Sequence, residues 1–324
     1  MSNDVFVVVE HVQGEVADIT YVMLAAARQL AADIGGSVKA ILMGHGAQGL
    51  ADSLGADAVL YVDDPALAEF TSDAYQRTVS AVIEAGAPRV VLFGDTTVGA
   101  DIAGLASARL GLPLVNYCRR VRGDGGAIRT VSQICGGKIV AEGELGGPTG
   151  LVLMIPGDHK PDEGRSDTPP EVVPFAAPDL SDLVVTLVRY VEPEAGDVDI
   201  TREEVLVSVG RGLQQEDNLE LATELADALG GAVSASRPVV DQGWLPTSRL
   251  VGKSGKRVTP KVYFALGISG APEHTEAITD SDVIIAINTD PAAPIFDVAQ
   301  YGAEMDMLDL MPVLTEKVAE AKGG

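Results

Sequence analysis

Short apolar runs alternate along the chain with longer stretches in which apolar residues recur every third or fourth position. VFVVVE (5–10) predicts a buried strand, ADITYVMLAAARQLAADIG (17–35) an amphipathic helix closed by Gly35 and Gly36, and SVKAILMG (37–44) the next strand. A strand at 56–63, a helix at 72–86, a strand at 89–95 and a helix at 99–111 follow at the spacing of βαβ crossovers. Strands apolar on both faces belong inside a parallel sheet covered by helices. Beyond residue 113 the signals shorten to runs such as AIRTVSQI and GKIVAEGEL, so the first domain is expected to close with β-rich structure. Prolines and charges crowd the stretch from Pro156 to Pro178, which reads as a loop, and LVVTLVRYVEP (183–193) reads as strand-like.

The second half repeats the logic. Strands are predicted at 204–210, 232–237, 261–269, 282–288 and 305–310, with helices at 217–230 and 293–302 and a final helix from Pro312. Asp217 and Pro312 suit helix N-termini, and Gly230 suits a C-cap. No stretch of the first half recurs in the second at a fixed period. The expected fold class is therefore α/β with two domains: a Rossmann-like parallel sheet over 1–193, a linker over 194–203, and a second parallel-sheet domain over 204–324.

Composition narrows the function. Apolar residues make up 46% of the chain but aromatics only 4%, so aliphatic side chains do most of the packing. A formal charge of -24 repels phosphate backbones and anionic headgroups, which argues against nucleic acid as a partner. Asp outnumbers Glu and Arg outnumbers Lys, a bias compatible with a high-salt habitat where ions screen self-repulsion. The two cysteines, Cys118 and Cys135, lack CxxC spacing and the four histidines are scattered, so neither a disulfide framework nor a metal site is indicated. The acidic N-terminus runs straight into a strand, and no apolar run is long enough to span a bilayer. A soluble cytoplasmic protein without membrane insertion is expected.

Ligands of parallel sheets sit outside the carboxyl ends of the strands, where helix N-termini and free N–H groups point. The segments following the strands of the second half are GRG (210–212), SASR (234–237), GISGAPEH (267–274) and NTDP (288–291), and they should meet along one rim. Together they offer close backbone approach at glycine, the hydroxyls of Ser236 and Ser269, the Asn288 carboxamide, and the side chains of Arg211, Arg237 and His274. That set fits a phosphate-bearing ligand of nucleotide size. Taken singly, each has a plainer explanation: a turn glycine, a solvated arginine, a surface histidine in a short helix. The coincidence of several clusters at one edge carries the argument. The connection 238–260 adds Trp244 and a GKSGK segment, but a Walker loop needs an earlier glycine and a following helix, so ATP hydrolysis is not indicated. A connection of this length inside a compact domain is usually functional.

VSVGRGL, SASRPVVDQGWLP, VGKSGKRVTPKVYFALGISGAPEH and IIAINTDPAAPIFDVAQYGAEMDMLDLMPVLTEKV together resemble, nearly continuously from about 204 to 318, the FAD-binding domain of electron transfer flavoprotein α subunits. The first domain, with VVVEH and LFGDTTVGADIAGLASARLGLP, is similar in layout, an adenine-nucleotide α-hydrolase-like fold. The resemblance implies an extended FAD. Arg211, Ser236, Ser269, Asn288 and Asp306 match positions that hold the diphosphate and adenosine half, and Met307 is a further expected cofactor-binding residue. The stretches Val251, Gly252, Lys253, Ser254 and Ser269, Gly270, Ala271, Pro272, Glu273, His274 match segments that wrap the flavin, with Arg237 beside the ring. Ser254 takes the place of a hydroxyl directed at flavin N5, and His274 that of an imidazole at the pyrimidine carbonyl. Cationic groups or N–H donors there would stabilise a negatively charged reduced flavin. Lys253-Ser254 stands where the family often has Gln-Thr, and Pro272-Glu273 where it often has an apolar residue and Gln. Glu273 is expected to raise the His274 pKa and favour imidazolium. Neither a catalytic constellation nor a metal is predicted.

The resemblance further implies a heterodimer with a β subunit, electrons taken from flavin dehydrogenases such as the acyl-CoA dehydrogenases of fatty acid β-oxidation, and delivery to a membrane quinone oxidoreductase. Two alternatives stay open: a subunit of an electron-bifurcating, NADH-dependent carrier with a second FAD on the β subunit, and an adenine-nucleotide-binding module without redox work.

Overall fold

The computed structural model describes residues 2–135, 139–190 and 198–323. It divides into two compact units, Met1–Tyr190 and Val191–Gly324. Part of the expected linker, 194–197, lies outside the described residues; within the rest, Ile200 is fully buried in the core of the second unit.

The first unit runs β1 (Val5–Val8), a small hairpin of β2 (His11–Val12) and β3 (Glu15–Val16), α1 (Asp18–Ile34), β4 (Val38–Gly44), β5 (Ala58–Asp63), α2 (Ser72–Gly86), β6 (Val90–Gly94), α3 (Thr97–Leu110), β7 (Leu114–Asp124), β8 (Ala127–Ile134), β9 (Ile139–Glu144), β10 (Gly150–Met154) and β11 (Glu171–Pro174). Nine strands form one sheet in the order β11-β5-β4-β1-β6-β10-β7-β8-β9, parallel as far as β7 and antiparallel through β8 and β9. Every residue of β1, β6 and β10 is buried, as expected of strands packed on both faces. Three differences from the sequence expectation stand out. GLVLM (150–154), which had no assignment, lies between β6 and β7 in the middle of the sheet. The proline-rich stretch expected to be all loop contributes β11, parallel to β5; Pro174 is tolerated because an edge strand has an unpaired side where a missing N–H costs nothing. Residues 183–190 form no strand, and Val184 and Val188 are about nine-tenths exposed (87% and 91%); 191–193 lie outside the described residues.

The second unit runs β12 (Val205–Val209), α4 (Leu219–Leu229), β13 (Ala232–Ala235), the short α5 (Arg237–Asp241), β14 (Val262–Leu266), α6 (Pro272–Thr275), β15 (Val283–Asn288), β16 (Tyr301–Glu304) and α7 (Met307–Gly323). Its five strands are all parallel, in the order β13-β12-β14-β15-β16. Alternation along the strands splits the core in two. Leu206, Tyr263, Ala265, Ile284 and Ala286 face one layer, while Val207, Val209, Phe264, Leu266 and Ile287 pack with Leu225 of α4 and Met311 of α7 on the other. Gly230 closes α4 in the left-handed region at φ 77°.

The C-terminal end departs from the expected pattern. The helix expected at 293–302 is a single 3-10 turn at Pro294–Asp297, and the last strand is β16, not 305–310. The final helix begins at Met307 instead of Pro312, because Asp306 accepts from the Leu308 N–H at 2.9 Å and caps it; Pro312 sits inside the helix. Strand β16 owes its existence to pairing with β15, and the lack of a side chain at Gly302 leaves room for the Phe296 ring.

The strand order places the site. From β12 the chain moves out to β13 and then returns past β12 to β14, so the order reverses between β12 and β14. Beyond their carboxyl ends a crevice opens, the place where open parallel sheets bind ligands.

Candidate cofactor cleft

A cleft of about 720 Å³ opens at this reversal. Its lining brings together Arg211, Ser236, Arg237, Val251, Gly252, Lys253, Ser254, Ser269, Ala271, Glu273, His274, Asn288, Asp306 and Met307, from loops far apart in sequence. Gly270 and Pro272, also expected at the ligand, are not in the lining. Gly270 lies behind it at φ 85°, where a Cβ would meet the Ile295 backbone at 2.2 Å, and Pro272 opens α6.

Glycine sets the floor. Gly210 donates to the Leu266 carbonyl (2.8 Å) and Gly212 to that of Gly267 (3.2 Å), so the exits of β12 and β14 run against each other. Gly267 has φ 63°, and a Cβ there would lie 2.6 Å from Met307 Sδ and 2.7 Å from Gly212 Cα. Only glycine permits that approach. Arg211 follows in an exposed 3-10 turn, and Gln214 closes the turn at φ 69°, uncommon for a side-chain-bearing residue.

On the β13 side, Ser236 stands at the N-cap of α5 without using its hydroxyl as a cap, and is 7% exposed. Arg237 is exposed; its Nε donates to Asp241 at 3.1 Å, one turn on, and its Nη1 to Ser254 Oγ at 3.4 Å. The facing loop is pinned at several points. Val251 donates to the Ala235 carbonyl (2.9 Å) and Lys253 to that of Glu273 (2.7 Å), while Gly252 adopts φ 145°, which a side chain would strain. Ser254 and the Lys253 side chain stand exposed on this loop.

Three more expected ligand groups already have protein partners. The Asn288 amide donates to the Ile268 carbonyl (2.9 Å) and its oxygen accepts from the Asp290 N–H (2.9 Å), fastening the exit of β15 to that of β14. One Asp306 oxygen caps α7. His274 is 6% exposed, with Nδ1 3.1 Å from the Val251 carbonyl and Nε2 2.9 Å from the Tyr263 hydroxyl. Burial pushes its pKa down to about 4 against the opposing pull of the Val251 carbonyl. Burial thus favours the neutral ring over the expected imidazolium, and the exposed Glu273 side chain does not raise the His274 pKa.

Gly212, Gln214, Gly267, Thr289, Asp290 and Met305 also line the cleft. Gly212, Gly267, Thr289 and Asp290 lie inside the strand-exit segments that the sequence marks, but nothing local marks Gln214 or Met305. The charge of the lining is mixed: Arg211, Arg237 and Lys253 are matched by Glu273, Asp290 and Asp306. The cation density is thus local, at the Arg237–Ser254 wall. A glycine-floored cleft of this volume, with a guanidinium and a hydroxyl side by side at Arg237 and Ser254, suits a dinucleotide.

These features define a nucleotide-cofactor domain of the doubly wound α/β class. Sequence comparison makes the class specific: the profile of the electron transfer flavoprotein domain matches residues 5–180, and that of the electron transfer flavoprotein FAD-binding domain matches 199–279. Electron transfer flavoprotein α subunits of Thermoanaerobacterium thermosaccharolyticum and Bacillus subtilis are each 33% identical, with 98% of both chains covered. A protein of Anaerotignum propionicum named acryloyl-CoA reductase electron transfer subunit beta is 32% identical over 98% of this chain and 96% of its own. The chain belongs to the electron transfer flavoprotein α-subunit family, and its second unit carries the FAD-binding domain of that family. No described helix is long and apolar enough to cross a membrane.

Proposed function

We propose that this chain is the α subunit of a heterodimeric, cytoplasmic electron carrier, holding FAD in the cleft between the β12 and β14 exits. It takes electrons from flavin dehydrogenases such as acyl-CoA dehydrogenases and delivers them to a membrane quinone oxidoreductase. The observation that carries the reading is the convergence of four separate sequence clusters on one trough at the strand reversal, within the family domain that binds FAD. Bound FAD would supply one- and two-electron redox chemistry. The chain's part is to hold and orient it: Arg211 and Ser236 toward the diphosphate, the 251–254 loop and the 269–274 segment around the ring, and Arg237 with Ser254 at the ring edge. The Arg237 guanidinium is a permanent cation there, suited to offset negative charge on the reduced ring.

The first unit supports this reading by what occupies its own strand reversal. Its strand order turns between β1 and β6, where a nucleotide phosphate would sit, and that space holds the side chain of Glu10. Glu10 is 7% exposed, its Oε2 accepts from Thr96 at 2.7 Å, and any Cβ at Gly94 or Gly99 would fall within 2.5 or 2.7 Å of its Oε1. A packed carboxyl group leaves no room for an anion. This disfavours a nucleotide-binding module centred on the first unit.

The test is purification of the chain co-expressed with the product of its neighbouring gene. Yellow protein that bleaches with dithionite, and is re-oxidised by a quinone reductase but not by NAD, is expected. One FAD per heterodimer fits the simple carrier and two fit the bifurcating one; colourless protein overturns the proposal.

A further inference from the structure

The geometry around His274 does not match the role that the family resemblance implies for it. A backbone carbonyl only accepts, so the contact to Val251 puts the ring proton on Nδ1. The neutral ring then has a lone pair at Nε2, and the group opposite it is the Tyr263 hydroxyl. Tyr263 is 0% exposed, and burial pushes its phenol upward, with the Ser208 and Ser234 hydroxyls pulling the other way, so the phenol keeps its proton and donates. Those two serines are fully buried, on the strands beside β14 and its neighbour, and their hydroxyls have no hydrogen bond of good geometry; both lie on the sheet face that carries Tyr263. The chain of donors runs one way: Tyr263 O–H to Nε2, then Nδ1–H to Val251 O.

We propose that Tyr263 is a positioning residue for the cleft: by donating to Nε2 it holds His274 as the neutral Nδ1–H tautomer, which clamps the Val251 carbonyl and with it the loop bearing Ser254. The ring then offers a ligand neither a cation nor a free N–H. Positive charge at the flavin end is then left to Arg237 and Lys253. Around the ring, Tyr263 faces it from β14 and Val251 and Gly252 from the loop; Lys253 on that loop and Glu273 beside it in α6 have exposed side chains. The proposal deepens the reading of this trough as the FAD site, but its first readout stands without that reading.

The experiment is nitrogen NMR of the full chain, labelled at histidine and purified with its partner, the His274 signals being assigned with His274→Gln. Expected in the unmutated protein is a protonated Nδ1 and an unprotonated Nε2, unchanged from about pH 8 to about pH 5. Tyr263→Phe leaves the Nδ1–H contact to Val251 but removes the donor that favours the neutral ring, so it should raise the ring pKa by about one unit and speed amide exchange in the 252–255 loop roughly fivefold. It should also add a break near the raised ring pKa to the pH dependence that flavin reduction has on its own. A protonated Nε2 or an imidazolium in the unmutated protein at neutral pH overturns the proposal, as does a Tyr263→Phe variant with the same ring pKa and loop exchange. Should that variant fail to fold, the spectrum of the unmutated protein decides alone. Colourless protein with the expected tautomer would sink the cofactor assignment and leave the clamp standing.

Discussion

Glu10→Gln is the most informative single change outside the cleft. Burial pushes the Glu10 carboxyl up to about 7 from the ordinary 4.5, with Asp95 adding to the rise and the Thr96 hydroxyl and Gly94 backbone opposing it. The folded protein therefore binds a proton more tightly than the unfolded chain does. The stability this gives is fully present below about pH 4.5 and is lost as pH rises through about 7. The gap of about 2.5 units corresponds to about 3 kcal/mol at about 1.4 kcal/mol per unit. Glutamine keeps the shape and still accepts from Thr96, but cannot ionise. Its amide nitrogen falls where Oε1 has no partner, so its absolute stability at acid pH should be lower by about 1–3 kcal/mol. The diagnostic quantity is the slope. Urea unfolding of both proteins, each with its partner and flavin, across about pH 4.5 to 8 should show the variant gaining about 3 kcal/mol relative to the parent as pH rises. Parallel curves would show that Glu10 is solvated or paired in solution and would refute its burial as a neutral acid.

Other perturbations test other joints of the structure. Gly267→Ala forces a Cβ against Met307 and Gly212 at a positive φ, and should cost about 1–3 kcal/mol in thermal unfolding along with weakened flavin retention; an unaltered melting temperature would mean that the two loops part easily. Asp306→Ala removes the cap of α7 and should cost about 1 kcal/mol, largely restored by Asn, as read from chemical denaturation. With a net charge of -24, the protein should melt higher as potassium chloride is added, and a flat response would remove the argument from self-repulsion.

Much of the architecture was legible because fully buried parallel strands leave an unmistakable apolar run, as at VFVVV, VVLF and VIIAI. What escaped depends on partners that sequence does not display. YGAE has no apolar run and becomes β16 through β15, while MDMLDL, with alternation that mimics a strand, is the capped start of α7. GLVLM is a strong strand signal that was passed over between glycine- and proline-rich flanks. At the cleft, residue types and their common edge could be read, since strand exits in a parallel sheet share one rim. Orientation could not. His274 was expected to face a ligand, yet Tyr263, eleven residues upstream, captures its ring, and Asn288 fastens two loops instead of standing free.

The outermost strands have a consequence for how the molecule behaves in a crowded solution. One margin of the nine-stranded sheet is a four-residue strand ending in Pro174, which has no amide hydrogen to offer a newcomer. At the other margin Ile139 and Val140 lie in the open, but Glu142 and Glu144 share the strand with them and would meet their own copies head on if a second molecule tried to extend the ladder. The five-stranded sheet ends on both sides in strands of four residues. Among the described strands no long, uncharged margin is left to template fibre growth, so the molecule should tolerate high concentration without stacking into filaments.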